Sequence, residues 1–145
     1  MKYLPHRTLL AIAAVEDISR NQIHARVTAP ALAVRLGTPV RHLESALQAL
    51  VHAQLIKGGR GPRGGYIIWP GRAGATIAIA EIVDCVAALS IEPTAPRGAK
   101  TAASIGAAIA TLAEPFASAL KTTTLADLRT LLPFAGEDAA TAPER

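Results

Sequence analysis

Lys57, Arg60 and Arg63 fall close together in LIKGGRGPRGGYIIWP, residues 55–70, interleaved with glycine and a proline. That stretch holds no aspartate or glutamate, so these cations have no local counter-ion. Fixed positive charges on a short turn suit contact with a phosphate backbone, where neutralising a phosphate releases condensed cations. A second set of side chains lies just upstream: Thr38, Arg41, His42, Glu44, Ser45 and Gln48. Their chemistry is that of base readout. Arg41 can donate two hydrogen bonds to guanine, Gln48 can pair with adenine, and Glu44 can accept from cytosine. Charged helix faces are ordinarily just solvated, so the elements carrying these residues must decide.

The glycines supply the positive φ values a tight hairpin needs, so residues 55–70 read as strand, turn, strand. Upstream, residues 4–17 carry Leu9, Leu10, Ile12, Ala13 and Val15 behind Pro5, a first helix packed on one side. Residues 19–27 are polar and end in a short strand at Arg26 and Val27. Thr28 offers a capping hydroxyl, Pro30 sits in the first turn of a short helix to Leu36, and Gly37 ends it. Thr38 and Pro39 restart a helix over 39–53, with Thr38 as its cap and Pro39 first. Val40, Leu43, Leu47, Leu50 and Val51 form its apolar stripe; Arg41, Ser45, Gln48 and His52 share the opposite face, flanked by His42 and Glu44. Two helices joined by a glycine turn and followed by a basic hairpin is the order of a winged helix-turn-helix. The second helix then enters the major groove. The hairpin rides on the flanking backbone.

Composition sets the outer limits. The 145 residues fit one domain, 50% hydrophobic but only 3% aromatic, so the core is closely packed helices or is completed by a second chain. A net charge of +4 favours an anionic partner. The single cysteine excludes an internal disulfide framework and a cysteine-rich zinc site. GRGPRGG lacks the Lys-Ser/Thr pair of a phosphate-binding P-loop, and His6, His24, His42 and His52 have no metal-site spacing. No nucleophile–base arrangement stands out, so the chain is expected to be no enzyme. Residues 101–120 contain only Glu114 as a charge but are too rich in alanine, serine and threonine to suggest a membrane span. With no leader segment in view, a cytoplasmic protein is expected.

The residues now carry a family resemblance. GTPVRHLE at residues 37–44, followed by RGPRGGY at 60–66, resembles the Rrf-two family of bacterial transcription regulators. Residues 77–86, IAIAEIVDCV, resemble that family's next helix, and TLADL at 124–128 its T-L-x-D-L element. The resemblance spans about residues 5–132 and implies a homodimeric winged-helix factor whose long C-terminal helix crosses its mate. Relatives include the iron–sulfur cluster regulator and the nitric-oxide-sensitive repressor. Sensing members hold a cluster with three cysteines in the loop before the long helix. Here that loop, residues 91–100, reads IEPTAPRGAK and has no thiolate to offer, so no such cofactor is expected.

Independently of the family, Ile105, Ile109, Leu112, Phe116 and Leu120 repeat at four- and three-residue spacings along a helix over 99–121, interrupted by Pro115. Small residues fill its other positions, so the stripe is expected to meet a second copy rather than only its own domain. Cys85 falls at the edge of the inward stripe of a helix over 79–89, formed by Ile79, Ile82, Val83, Val86 and Leu89. It is either a small packing residue or a redox switch that pairs across a dimer. The expected fold is mainly α with a small β-hairpin. Residues 1–90 would be the winged helix-turn-helix domain, 91–132 the loop and dimerisation helices, and 133–145 a disordered tail. The expected function is a homodimeric, sequence-specific repressor on a two-fold symmetric duplex operator, with Lys57, Arg60, Arg63 and the backbone of Gly64 and Gly65 on the wing. The competing reading is a winged-helix module that binds protein.

Overall fold

The computed structural model describes residues 4–87 and 100–131, with the backbone alone described over 100–110. The cysteine-free loop at 91–99, the tail at 133–145, Leu89, and the side chains of Ile105 and Ile109 lie outside the described residues.

Helix α1 runs His6–Asn21, four residues beyond its expected end. Its inward face continues through Val15 and Ile18, both wholly buried. The last turn is held by an Arg20–Glu16 pair and by the Asn21 amide donating to the Asp17 carbonyl. Helix α2, Ala29–Leu36, starts as the sequence suggests: the Thr28 hydroxyl accepts from the Ala31 amide, and Gly37 closes it at φ 61°.

Helix α3 is Val40–His52. Its start corrects one expectation. Pro39 is the cap, with no side-chain hydrogen bond, and Thr38 is not. The reason is local: the Thr38 amide donates to the Ala33 carbonyl at 3.0 Å, so this residue completes the end of α2 instead.

Strands β1, Ile56–Gly59, and β2, Gly65–Ile68, pair antiparallel from Ile56 opposite Ile68 to Gly59 opposite Gly65. Pairing therefore runs into the glycines, and residues 60–64 form the tip. On its other edge Tyr66 exchanges two backbone hydrogen bonds with Val27, at 2.8 and 2.9 Å, an isolated bridge where a short strand over 26–27 is expected. A 3₁₀ turn, Gly74–Thr76, then leads to α4, Ile79–Ala87.

The long helix α5 spans Lys100–Thr122 and α6 spans Leu125–Leu131. Thr124 and Asp127 explain the TLADL motif: Asp127 Oδ2 accepts from the Thr124 amide and hydroxyl, and the Asp127 amide donates back to the Thr124 hydroxyl. This is a capping box that starts α6, and it holds the Asp127 carboxyl below its ordinary pKa. Among the described residues no helix is long and apolar enough to cross a membrane.

The core gathers Leu10, Val15 and Ile18 of α1, Leu43, Leu47 and Leu50 of α3, and Ile79, Ile82 and Val86 of α4. Leu125 of α6 joins it, wholly buried. Two further ties hold α6 in place. The Ile79 amide donates to the Thr123 carbonyl and the Leu125 amide to the Ile77 carbonyl, and Arg129 Nε reaches both oxygens of Glu16 at 2.7 and 2.9 Å. Helix α6 thus belongs to the winged-helix body. Leu125→Ala should therefore lower global stability by about 2–5 kcal/mol in a single cooperative transition, as read by urea denaturation.

Candidate nucleic-acid interface

Burial of Leu43, Ala46, Leu47, Ala49 and Leu50 leaves one side of α3 facing outward. Arg41, His42, Glu44, Ser45, Gln48 and His52 are all exposed there, and Thr38 is half-buried at its foot. The face chosen from helical spacing is the face that solvent reaches. Arg41 Nε lies 3.5 Å from His42 Nε2, the outer limit of a hydrogen bond, so neither side chain is committed.

Lys57, Arg60 and Arg63 are likewise exposed, whereas Gly64 and Gly65 are half-buried. Those two glycines are structural. A Cβ on Gly64 would stand 2.7 Å from the Gly59 carbonyl oxygen, and one on Gly65, at φ 124°, 2.8 Å from that of Val27. Both obstacles are backbone, so side chains here would force the wing apart.

Two residues that sequence reasoning missed fix the base of the wing. The Ile68 amide donates to Gln22 Oε1 at 2.6 Å, tying β2 to the end of α1. The Arg26 guanidinium lies where a Cβ on Gly59 would be, 2.7 Å from Nη1, and that nitrogen is buried without a hydrogen-bond partner. Their only signal was membership of a polar stretch that ends in an expected short strand, Arg26 lying in that strand.

Helix and wing meet along an open groove of about 550 Å³. Gln48 and His52 line it from α3, Arg60, Gly64 and Gly65 from the wing, and Thr28 from the start of α2. Arg41, Glu44 and Arg63 stand outside that lining. No acid lines the groove.

Four arginines away from this surface are neutralised by acids. Arg20 pairs with Glu16, Arg35 with Asp17, Arg72 with Glu81 and Arg129 with Glu16. The Arg35–Asp17 hydrogen bonds also raise the guanidinium pKa. Among the described residues Arg41, Lys57, Arg60 and Arg63 have no such partner. Unpaired cations held on a rigid scaffold keep their full charge for an external anion.

Comparison with known proteins bears on this arrangement. The Rrf2 family model, described as an iron-dependent transcriptional regulator, matches residues 4–130. The chain belongs to the Rrf2 family. It is accordingly a transcription regulator and not an enzyme. Similar solved structures include IscR of T. potens, 22% identical over 97% of this chain and 93% of that one, with a TM-score of 0.66. CymR, the global cysteine regulator of B. subtilis, is 18% identical over 92% and 100%, with a TM-score of 0.65. An oxidized form of Staphylococcus aureus CymR is 19% identical over 92% and 99%, with a TM-score of 0.66. No curated protein matches at a significant level. These structures share the winged-helix fold with this chain.

The donor set of this Rrf2 protein does not fit an iron–sulfur cluster ligated by several thiolates. It has one cysteine, and among the described residues no three His, Cys, Asp or Glu side chains come together as a metal site. That cysteine, Cys85, is half-buried and packs beside the core, with Sγ donating to the Ile82 carbonyl at 3.2 Å. Burial, reinforced by the charge of Asp84, pushes its thiol up to about 11. A thiol so raised has little thiolate at neutral pH, which favours the packing role over a redox one. Iodoacetamide should accordingly label Cys85 about 100-fold more slowly at neutral pH than an unfolded control, with labelling accelerating toward pH 11.

Proposed function

We propose that this Rrf2 protein is a homodimeric, sequence-specific DNA-binding repressor that works without the family's cysteine-ligated cluster. The observation that carries the reading is exposed Gln48 and His52 of α3 meeting Arg60 of the wing along an acid-free groove, with Arg41, Lys57 and Arg63 exposed on the same two elements and, among the described residues, without an acid partner. In this reading α3 enters the major groove. Arg41 then donates to guanine and Gln48 pairs with adenine, while Glu44 accepts from cytosine. Thr38, His42 and Ser45 complete the contact surface of that helix. Lys57, Arg60, Arg63 and the amides of Gly64 and Gly65 track the backbone beside it.

Exposed apolar side chains on α5 support the dimer. Leu112 is 81% exposed and Phe116 46% exposed on a helix whose other residues are largely small. Apolar side chains left so open are suited to a second copy, and Ile105 and Ile109 would extend that seam. Leu120 packs against the chain's own core and would mark the seam's inner end. Residues 1–90 would then form the reading unit and 91–132 the coupling unit. Two reading units would address half-sites about one helical turn apart, or a multiple of it. Repression would come from occupying the promoter.

The reading is tested by binding titrations of two variants against operator and scrambled duplex at two salt concentrations. Arg63→Ala should weaken both duplexes about equally and reduce the salt slope by about one unit per contact. Arg41→Ala should cost about 1–3 kcal/mol on the operator and relax preference at one base of each half-site. If neither changes DNA affinity, the chain is instead a protein-binding winged helix. Separately, Leu112→Glu should leave the melting temperature of the winged-helix body unchanged while dissociating the dimer in sedimentation, because the interface would bury an unpaired charge.

A further inference from the structure

At the edge of the reading face, α1, α3 and α4 line a second, open cavity of about 460 Å³. Arg7 of α1, Ser45, Gln48 and His52 of α3, and Cys85 of α4 line it. From these we infer that the cavity is an effector site for a small organic carboxylate, whose occupancy releases DNA.

The charge balance comes first. Arg7 is half-buried, its Nε is closed off from solvent without a hydrogen-bond partner, and among the described residues no acid pairs with it. A guanidinium without an acid partner beside a cavity attracts a carboxylate, which its terminal N–H groups can hold by charge-assisted hydrogen bonds. No acid lines the cavity, and Cys85 enters it as a neutral thiol already engaged with the Ile82 carbonyl. The missing charge must therefore come from outside.

The rest of the lining defines the body of the ligand. Ala49 and Ala53 present an apolar floor, while Ser45 and Gln48 offer a hydroxyl and an amide. The volume lies within the ordinary range for small-molecule sites. A compact carboxylate with an apolar body satisfies all these groups.

The link to DNA is geometric. Gln48 and His52 line both this cavity and the groove between helix and wing. An anion seated beside them engages these side chains and sets a negative charge at the edge of the DNA-facing surface. Both effects oppose a phosphate backbone, and by linkage DNA weakens the carboxylate to the same degree. This regulatory half rests on the DNA-binding reading; the binding half does not.

Because the chain's only cysteine lines the cavity, occupancy can be read without DNA and without a variant. Iodoacetamide labelling of Cys85 in the full-length protein, at mildly alkaline pH, is followed with acetate, pyruvate, succinate or benzoate. At least one should slow labelling saturably at millimolar concentration, and its uncharged amide should not. Arg7→Met, which keeps the apolar stem, should abolish that protection, and Arg7→Lys should retain part of it. The protective carboxylate should also weaken operator binding about tenfold or more in the wild type and leave Arg7→Met unaffected. No protection by any of the four, or equal protection by acid and amide, would overturn the site. Protection with no change in operator affinity would overturn the regulatory half. A ligand-free protein that fails to bind DNA would count against the functional reading and leave the cavity's assignment to the labelling result.

Discussion

The burial of one stripe of α3 against α1 and α4 is the constraint on which the other features depend. Leu43, Leu47 and Leu50 are at most 1% exposed, and they meet the inward faces of both neighbouring helices. Rotating α3 to hide any of its polar residues would bring those leucines into water, at about 1.5–3 kcal/mol for each side chain fully exposed. The helix therefore has one orientation. Arg41, Glu44, Ser45 and Gln48 face outward because the leucines cannot.

The wing inherits its position from the same core. Leu55 and Ile56 are buried immediately after α3, so the hairpin leaves the core at a fixed point. Tyr66 is then held between Gly58 on one side and Val27 on the other. Gln22 and Arg26, at and beyond the end of α1, close the base. Helix and wing are thus placed relative to one another by backbone pairing and packing, with no contribution from the charges they display. That separation lets the cations remain unpaired without loss of stability.

The ties of α6 join the long helix to this unit. Leu125 is buried in the core, and the paired backbone at Ala78 and Thr124 and the Arg129–Glu16 contact bracket it. A helix anchored at its C-terminal end can transmit its orientation to α1 and α4, which in turn carry α3. In a dimer built on α5 the spacing between reading helices would be set through these contacts.

Much of the arrangement was legible in the sequence because it follows from local periodicity and turn chemistry. The stripe of α3, the Thr28 cap, the left-handed Gly37 and the glycine-framed hairpin each arise from a few neighbouring residues. The family motif RGPRGGY is readable for the same reason: Gly64 and Gly65 are required by backbone crowding within the hairpin and its flanking strand. What the tertiary structure decided concerns residues distant in the chain. Gln22 reads from sequence as part of a polar stretch and Arg26 as part of a short strand, yet both support the wing. Leu120 sits in the apolar stripe of α5 but packs on its own core, and Arg7 and Cys85, at opposite ends of the first 87 residues, line one cavity with α3. Periodicity tells which face of an element is apolar. Which neighbour covers it, and which polar group is left there without a partner, is settled only when the elements pack.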